Sequence, residues 1–437
     1  MKLRYVQMAI LGLAAALFAF APAAMAQNEQ FFPMLVYRTG PYAPSGIPQA
    51  NGFVDYYKLL NARDGGINGV KIVVEECETQ YNAKIGVECY EKLKNKGVTG
   101  ATYINPFSTA ITYQLIPKAE VDQVPILSMG YGRTAAADGR VFKWIFNFPT
   151  TYWSQASALV RYVGSQEGGL DKLKGKKITL VYHNSAYGKE PIPTLEELSK
   201  KFGYQLDLLA VDHPGQEQKA TWLQIRRNRP DYVFMWGWGV MNQVAIKEAA
   251  AIRYPMDKFI GVWWSGSEND VVPSGMSAKG YKAATFHGVG TDLPVHKDIL
   301  KYVYNGDKSA AIANGFGQVL YNRAIVNAMT GVEAVRTAQK RYGNKPMKGE
   351  QVRWGFENLD ITATRLSELG MANFTRPIKV TCADHESGAP ILIQQWDGEK
   401  WGIITDWIEP MRDVVRPMIE KAAADYAKEN NIKPRDC

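Results

Sequence analysis

Two hydroxyl side chains, Ser108 and Thr109, follow a short apolar run and stand where a helix-patterned segment begins. The first turn of a helix leaves backbone N–H groups free, and the helix dipole favours negative charge there. With the two hydroxyls added, this arrangement suits an anionic group such as a carboxylate. The alternative is structural, because either hydroxyl can simply cap the helix.

A second loop, residues 129–133, combines backbone freedom with a fixed charge. Gly130 and Gly132 let the backbone approach a ligand, Tyr131 offers a stacking face, and Arg133 adds a permanent charge. Two further candidates are Arg38, which ends the first predicted strand, and Tyr42, which lies in the loop after it. Either arginine could equally take part in a surface ion pair.

Tryptophan is concentrated at two predicted strand ends. Of the 11 tryptophans, Trp236 and Trp238 follow one strand, and Trp263 and Trp264 follow another. Large rigid rings at these places can enclose an apolar or ring-bearing ligand at low entropic cost. They can also fill space between sheet and helix. Because alternate strand residues point to opposite faces, we expect only some of them to contact a ligand.

Signatures of catalysis are scarce. The chain has no G-x-S-x-G elbow, no H-E-x-x-H pair and no G-x-G-x-x-G after the first strand. The nearest approach to a phosphate loop, residues 169–176, has one residue too many and precedes a strand. The five histidines are dispersed, so neither a metal nor another cofactor is expected. A binding protein therefore fits better than an enzyme; the rival, an exported hydrolase, would have to use His183 near Tyr187.

Six apolar strands position these residues. Each runs into a loop of small polar and aromatic residues and then a helix-patterned stretch, which is typical of a doubly wound α/β fold. Ligands of open parallel sheets sit outside the carboxyl ends of the strands, so these loops form the expected binding edge. Two groups of three strands predict two facing edges. The predicted strands are 34–38, 100–104, 125–128, 178–182, 232–235 and 259–262.

The chain is predicted to build two lobes and to cross between them more than once. Residues 27–148 with about 287–370 form the first lobe, and residues 149–286 with about 371–437 form the second. Further helix and strand patterns follow the two α/β segments, so neither segment closes by itself. These later patterns are a helix over 314–341, strands at 377–381, 389–396 and 401–405 with a hairpin turn at Asp397-Gly398, and a helix at 410–427.

The first 26 residues have the pattern of a secretory signal peptide. Lys2 and Arg4 precede an apolar run, and Ala24-Met25-Ala26 forms a small-residue cleavage site. We expect cleavage after Ala26 and export, with an uncleaved signal anchor as the alternative. The formal charge is +8, but the basic residues are scattered among acids. A solvated surface is therefore expected, and no nucleic-acid binding.

The four cysteines, Cys77, Cys89, Cys382 and Cys437, favour disulfides in an exported protein, and three connectivities are possible. Cys77 and Cys89 lie close together between a predicted strand and a predicted helix, so a local bridge is expected. Cys382 would then pair with Cys437 and hold the C-terminal tail.

The order of these motifs resembles the periplasmic substrate-binding proteins of ABC importers, in the type I group that includes Leu/Ile/Val-binding proteins. The resemblance covers essentially all of the mature chain. It implies an α/β type I periplasmic-binding-protein fold, with two Rossmann-like lobes, three crossovers and a ligand cleft between them. It also implies a periplasmic monomer that delivers a small solute to an inner-membrane permease; a sensing subunit of a receptor is the alternative. The segments that carry the resemblance are residues 39–46, 60–69, 71–74, 124–128, 187–188, 230–234 and 395–398.

By position, the resemblance implies a set of ligand contacts. Amino-acid binders of this group read the ligand ammonium group with an acid after the third strand of the second lobe. Here Trp263 and Trp264 take that place, unless Glu268 or Asp270 folds back. An apolar or aromatic carboxylate is therefore expected, with a branched-chain amino acid as the alternative. The implied contacts are Phe107, Ser108, Thr109, Tyr131, Gly132, Arg133, Tyr187, Trp238 and Trp263 or Trp264.

Overall fold

A computed structural model describes residues 28–437 of the protein, and the predicted signal peptide lies outside the described residues. Within the described range, no helix has the length and apolar character of a membrane span. The strands are β1 (Glu29–Val36), β2 (Lys71–Glu78), β3 (Ile126–Leu127), β4 (Ile145–Phe146), β5 (Lys177–His183), β6 (Gln205–Val211), β7 (Tyr232–Trp236), β8 (Phe259–Gly261), β9 (Lys282–Thr285), β10 (Asp360–Ile361), β11 (Ile378–Lys379), β12 (Leu392–Trp396) and β13 (Trp401–Ile403).

Helices alternate with the strands through most of the chain, as the pattern predicts. They are α1 (Ala43–Asp64), α2 (Ala83–Leu93), α3 (Thr109–Asp122), α4 (Tyr152–Glu167), α5 (Ala186–Lys189), α6 (Ile192–Phe202), α7 (Lys219–Asn228), α8 (Val240–Ala251), α9 (Glu268–Val271), α10 (Pro294–Tyr302), α11 (Lys308–Ala313), α12 (Val319–Tyr342), α13 (Gly349–Glu357), α14 (Ala363–Glu368) and α15 (Arg412–Glu429).

The first sheet is a parallel array built from the N-terminal strands. β1 pairs with β2, and β3 pairs with β4. The predicted strand 100–104 lies between β1 and β3 as an extended segment: Thr102 N–H donates to Phe31 O at 3.0 Å, and Ile104 N–H donates to Pro125 O at 2.9 Å. An isolated β-bridge pairs Ile104 with Ile126. The segment 100–104 is therefore a less regular strand than predicted.

The second sheet has seven strands in the order β13-β12-β9-β8-β7-β5-β6. The strands from β6 to β9 are parallel, whereas β12 runs antiparallel to β9 and β13 runs antiparallel to β12. Every residue of β7 is buried, as expected for a strand covered on both faces. The hairpin predicted at Asp397-Gly398 is confirmed by the β12–β13 pair.

The long helix α12 returns the chain to the first sheet. It packs against α1 and α13, and nearly all of its residues are buried. Gly52 of α1 lies at the closest approach, since a Cβ there would be 2.4 Å from Tyr321 O. After α14, β12 and β13 join the second sheet. The chain therefore passes between the two sheets repeatedly; the lobe boundaries at 148, 286 and 370 stay a prediction.

The C-terminal helix α15 packs against the loop that precedes β4 of the first sheet. Tyr426 of α15 stacks on Phe142 with ring centroids 4.7 Å apart. The disulfides Cys77–Cys89 and Cys382–Cys437 both form, which confirms the predicted local bridge and the predicted bridge to the tail.

Candidate functional site

A cavity of about 20 Å³ lies where the carboxyl ends of strands from both sheets meet. Apart from Tyr81, which is half-buried, all of the lining residues are buried, so the cleft between the sheets is closed. The lining consists of Tyr37, Gln49, Tyr81, Phe107, Ser108, Thr109, Tyr131, Tyr152, Tyr187, Trp238 and Trp264.

The structure brings most of the predicted ligand contacts to this cavity. The predicted residues in the lining are Phe107, Ser108, Thr109, Tyr131, Tyr187, Trp238 and Trp264. Those that do not line it are Arg38, Tyr42, Gly132, Arg133 and Trp263. Sequence reasoning missed Tyr37, Gln49, Tyr81 and Tyr152.

The polar end of the cavity is the start of α3. Ser108 is the N-cap residue, and its Oγ accepts a hydrogen bond from Ile111 N–H at 3.4 Å. Thr109 Oγ1 is buried and has no hydrogen-bond partner within residues 28–437, and the same holds for Gln49 Nε2. The Ser108 hydroxyl therefore caps α3, while the Thr109 hydroxyl and the Gln49 Nε2 amide group have no partner in the described chain.

Aromatic rings form the remaining walls. Trp238 and Trp264 meet edge to face with ring centroids 5.5 Å apart, and Tyr152 lies 5.4 Å from Tyr187. The Tyr187 hydroxyl donates to Gly237 O at 2.8 Å, which fixes that ring. These contacts make the walls a packed, preorganised surface.

The tryptophans divide into a lining pair and a buried pair. Trp238 and Trp264 line the cavity. Trp263 lies behind it, packed on Tyr152 at 5.7 Å and on Phe286 at 5.2 Å, and Trp236 is fully buried. Trp236 is the last residue of β7, whereas Trp238, Trp263 and Trp264 lie in the loops after β7 and β8, so the course of each loop decides which ring reaches the cavity.

The two predicted arginines take other partners. Arg38 forms a bidentate ion pair with Glu76 of the neighbouring strand β2, with both N···O distances at 2.7 Å. Arg133 lies over the Tyr426 ring at 4.6 Å. The alternative of a surface ion pair therefore describes Arg38, and the cavity lining contains no arginine.

Gly132 and Tyr42 lie at contacts beside the cavity. A Cβ on Gly132 would stand 2.4 Å from Glu190 Oε1, so Gly132 leaves room for the Glu190 carboxylate. The Tyr42 hydroxyl lies between His183 Nε2, at 2.7 Å, and His213 Nδ1. Both residues thus belong to contacts between the halves of the cleft.

No carboxylate lines the cavity in the part of the chain that the structure describes. Asp270 accepts hydrogen bonds from Ser267 N–H at 2.8 Å and from Asn242 Nδ2 at 3.0 Å, and Glu268 accepts one from Val319 N–H at 3.0 Å. Burial raises the pKa of Asp270 to about 6 and that of Glu268 to about 7. Neither acid lines the cavity.

His183, which the hydrolase alternative would have to use, is held by neighbouring side chains. His183 Nδ1 lies 2.8 Å from Ser185 Oγ, its Nε2 contacts Tyr42, and the ring does not line the cavity. Burial, followed by the neighbouring His213, lowers the pKa of His183 to about 4. Across residues 28–437, no group of three or more His, Cys, Asp or Glu side chains could hold a metal ion.

Comparisons with known proteins agree with this architecture. A solved structure from the Pseudomonas fluorescens group, described as an ABC transporter permease, is 44% identical, covers 94% of this chain and 99% of its own, and superimposes with a TM-score of 0.86. A Thermus thermophilus branched-chain amino acid ABC transporter with bound valine is 21% identical, with coverage of 89% and 99% and a TM-score of 0.74. An R. palustris solute-binding protein in complex with benzoate is 15% identical, with coverage of 87% and 97% and a TM-score of 0.67.

The last two similarities show the fold alone. No curated protein sequence matches the chain. The family model described as periplasmic binding protein matches residues 29–400. The chain therefore belongs to the periplasmic binding protein family, with the type I fold of the Leu/Ile/Val-binding substrate-binding proteins of ABC transporters.

Proposed function

We propose that this protein captures a small organic carboxylate that has no ammonium group, closes over it, and delivers it to the membrane permease of an ABC importer. The observation that carries the proposal is the composition of the lining, which within residues 28–437 combines aromatic rings and free hydrogen-bond donors with no acidic side chain. Export to the periplasm, with cleavage after Ala26, is part of the proposal.

The polar groups of the cavity favour a ligand that accepts hydrogen bonds. Thr109 Oγ1, Gln49 Nε2 and Trp264 Nε1 are buried without protein partners in the described chain. Leaving a buried donor unpaired costs about 1–3 kcal/mol, so a ligand that satisfies these donors is favoured. A carboxylate has the acceptor oxygens to do so, and the first turn of α3 stabilises its negative charge.

An α-amino acid would also bury an ammonium group. Such a group is strongly hydrated and needs a charged or acceptor partner once it leaves water. The acids nearest in sequence to the expected position, Glu268 and Asp270, are engaged elsewhere. The cavity therefore favours the acid without the amino group over the corresponding amino acid.

The closed cavity is smaller than the solute proposed for it. Its volume is about 20 Å³, little more than the space that one water molecule needs. The walls therefore have to separate when a ligand enters, as expected for a protein that closes over its solute.

Thermal unfolding with matched ligand pairs tests the proposal. Isovalerate and valine differ by the α-amino group, as do 3-phenylpropionate and phenylalanine. We expect the carboxylates to raise the melting temperature in a concentration-dependent way and the amino acids to do so much less, because a ligand that binds the native state stabilises it by mass action. Strong stabilisation by valine without stabilisation by isovalerate would overturn the proposal. Benzoate belongs in the same panel as a ring-bearing acid with no flexible chain.

A further inference from the structure

Arg323, on α12, is a buried cation beside the cavity that the sequence analysis did not single out. Its side chain is 1% exposed. Its guanidinium donates hydrogen bonds to Trp263 O, to His287 Nε2 at 3.2 Å and to Thr285 Oγ1 at 3.3 Å. These partners are neutral, and no ion pair to Arg323 forms among residues 28–437.

The guanidinium lies directly behind a wall of the cavity. It stacks over the Trp264 ring, 5.1 Å from the ring centroid, and over the Phe286 ring at 5.0 Å. Trp264 in turn lines the cavity. One aromatic ring therefore separates a buried positive charge from the cavity.

Two acids, Asp270 and Glu268, act on Arg323 without forming an ion pair with it. Their oxygens accept hydrogen bonds from Ser267, from Asn242 of α8 and from Val319 of α12. Burial raises the pKa of Asp270 to about 6 and that of Glu268 to about 7, so both keep part of their charge at neutral pH, but Arg323 is the charged group that lies over the Trp264 ring. Burial also lowers the pKa of Arg323, to about 9, so the guanidinium remains charged at neutral pH.

Two electrostatic effects follow from this arrangement. A charge inside the protein is poorly screened, so it attracts an anion in the cavity and repels a cation. The guanidinium also occupies one face of the Trp264 ring, so the opposite face binds a second cation less well. Without Arg323, the aromatic box around the cavity would resemble a site for an organic cation.

We infer that Arg323, from its position behind Trp264, sets the sign of the charge that the cavity accepts, so that an anionic solute is preferred over neutral and cationic solutes of the same shape. This inference rests on the proposed function and names the residue that determines its charge specificity. Arg323 is a positioning and specificity residue, since it does not touch the ligand itself.

An isosteric ligand series tests the inference. Benzoate, benzamide and benzamidinium share one shape and carry negative, zero and positive charge. By isothermal titration we expect the wild-type protein to bind benzoate about tenfold more tightly than benzamide, and benzamidinium least tightly. Arg323→Met should reduce the benzoate-to-benzamide ratio to near one and improve benzamidinium binding, whereas Arg323→Lys should keep the preference.

A matched control lies on the same helix. Arg336 pairs with Glu333 at 2.7 Å and does not line the cavity. Arg336→Met should leave the ligand ratios unchanged even where it lowers the melting temperature. A folded Arg323→Met protein with the wild-type ratio overturns the inference.

A second variant decides the question if Arg323→Met does not fold. Trp264→Leu removes the ring between the guanidinium and the cavity, so we expect it to increase the benzoate-to-benzamide ratio. An equal loss of affinity for all three ligands would contradict the inference. If wild-type protein binds none of the series and no other acid, the proposed function fails, and this inference fails with it. Tight benzoate binding with ratios that no variant changes overturns the inference alone.

Discussion

The Glu190 carboxylate accepts two hydrogen bonds from Thr134, one from its N–H at 3.2 Å and one from its Oγ1 at 2.6 Å. Glu190 follows β5 of the second sheet, and Thr134 follows β3 of the first. On the other side of the cavity, His183 at the end of β5 contacts Tyr42, which precedes α1. Tyr187, between them in sequence, lines the cavity. The segment 183–190 thus spans the closed cleft and fastens it at both sides.

The contact between Glu190 and Thr134 is expected to hold the closed form. Glu190→Gln should raise the ligand dissociation rate and weaken affinity about tenfold, because hydrogen bonds to a charged group contribute about 1.5–3 kcal/mol and the amide keeps only part of them. Stopped-flow fluorescence and titration measure both quantities. The control is Glu196→Gln, at an exposed position of α6. Equal dissociation rates for the wild-type and Glu190→Gln proteins would contradict a closing role.

The burial of His183, whose ring contacts Tyr42, predicts a dependence of stability on pH. The folded-state pKa of about 4 lies below the ordinary value of 6.5, so the folded protein binds this proton more weakly than the unfolded chain does. The contribution is present in full above about pH 6.5 and is lost as pH falls towards 4. We expect a loss of about 1–3 kcal/mol in the free energy of unfolding from this group.

Denaturant titrations between pH 7 and pH 4 measure this effect. His183→Gln keeps a polar partner for Tyr42 but does not titrate, so its stability should fall less steeply over the interval. Two neighbours modulate the result: His213 lowers the pKa of His183 further, and Asp212 raises it. Identical pH profiles for the two proteins would contradict the assignment.

Much of the fold could be predicted because it depends on repeated local patterns. Apolar strands followed by amphipathic helices specify a parallel sheet, and strand ends then gather at one edge. Tyr187, Trp238 and Trp264 all lie shortly after such strands and, with Trp263 as the alternative to Trp264, belong to the contacts that the family resemblance implies; all three line the cavity. The hairpin at Asp397-Gly398 was predictable because its turn residues act locally.

The rest of the site depends on details that strand patterns do not contain. A difference of one residue separates Arg38, which faces Glu76, from Tyr37, which lines the cavity. Gln49 lies within the first half of the helix α1, so its position in the sequence does not mark it as a strand-end residue. Arg323 offered one signal, a charged residue within the apolar helical pattern around Leu320 and Ile325, and its contacts become apparent only in three dimensions.

The tail disulfide is expected to stabilise the protein without changing the ligand site. Replacing both Cys382 and Cys437 by serine should lower the free energy of unfolding by about 2–4 kcal/mol, because the unfolded chain regains the freedom of a long loop. Ligand affinity should stay the same, since neither cysteine lines the cavity. Thermal unfolding and titration of the double variant measure the two effects, and a large loss of affinity would contradict their separation.

Trp238 is expected to contribute a wall of the site. Trp238→Ala should weaken ligand binding by about tenfold to a hundredfold, because truncating a well-packed aromatic anchor costs on the order of 2 kcal/mol or more. Titration with the best ligand of the panel measures this. Trp401→Phe is the control, since Trp401 is buried in β13 and does not line the cavity. Wild-type affinity in Trp238→Ala would remove this residue from the site.

Ser108 and Thr109 allow the capping role and the binding role to be separated. Ser108→Ala should lower stability by about 1 kcal/mol, because α3 loses its N-cap acceptor. Thr109→Val keeps the shape of the side chain and removes a buried hydroxyl that has no partner in the described chain, so stability should stay the same or rise. Ligand affinity should fall about tenfold in Thr109→Val, since a hydrogen bond to a charged ligand group is lost. A variant with unchanged affinity would move the carboxylate away from the start of α3 and leave Gln49 and Trp264 as the remaining donors.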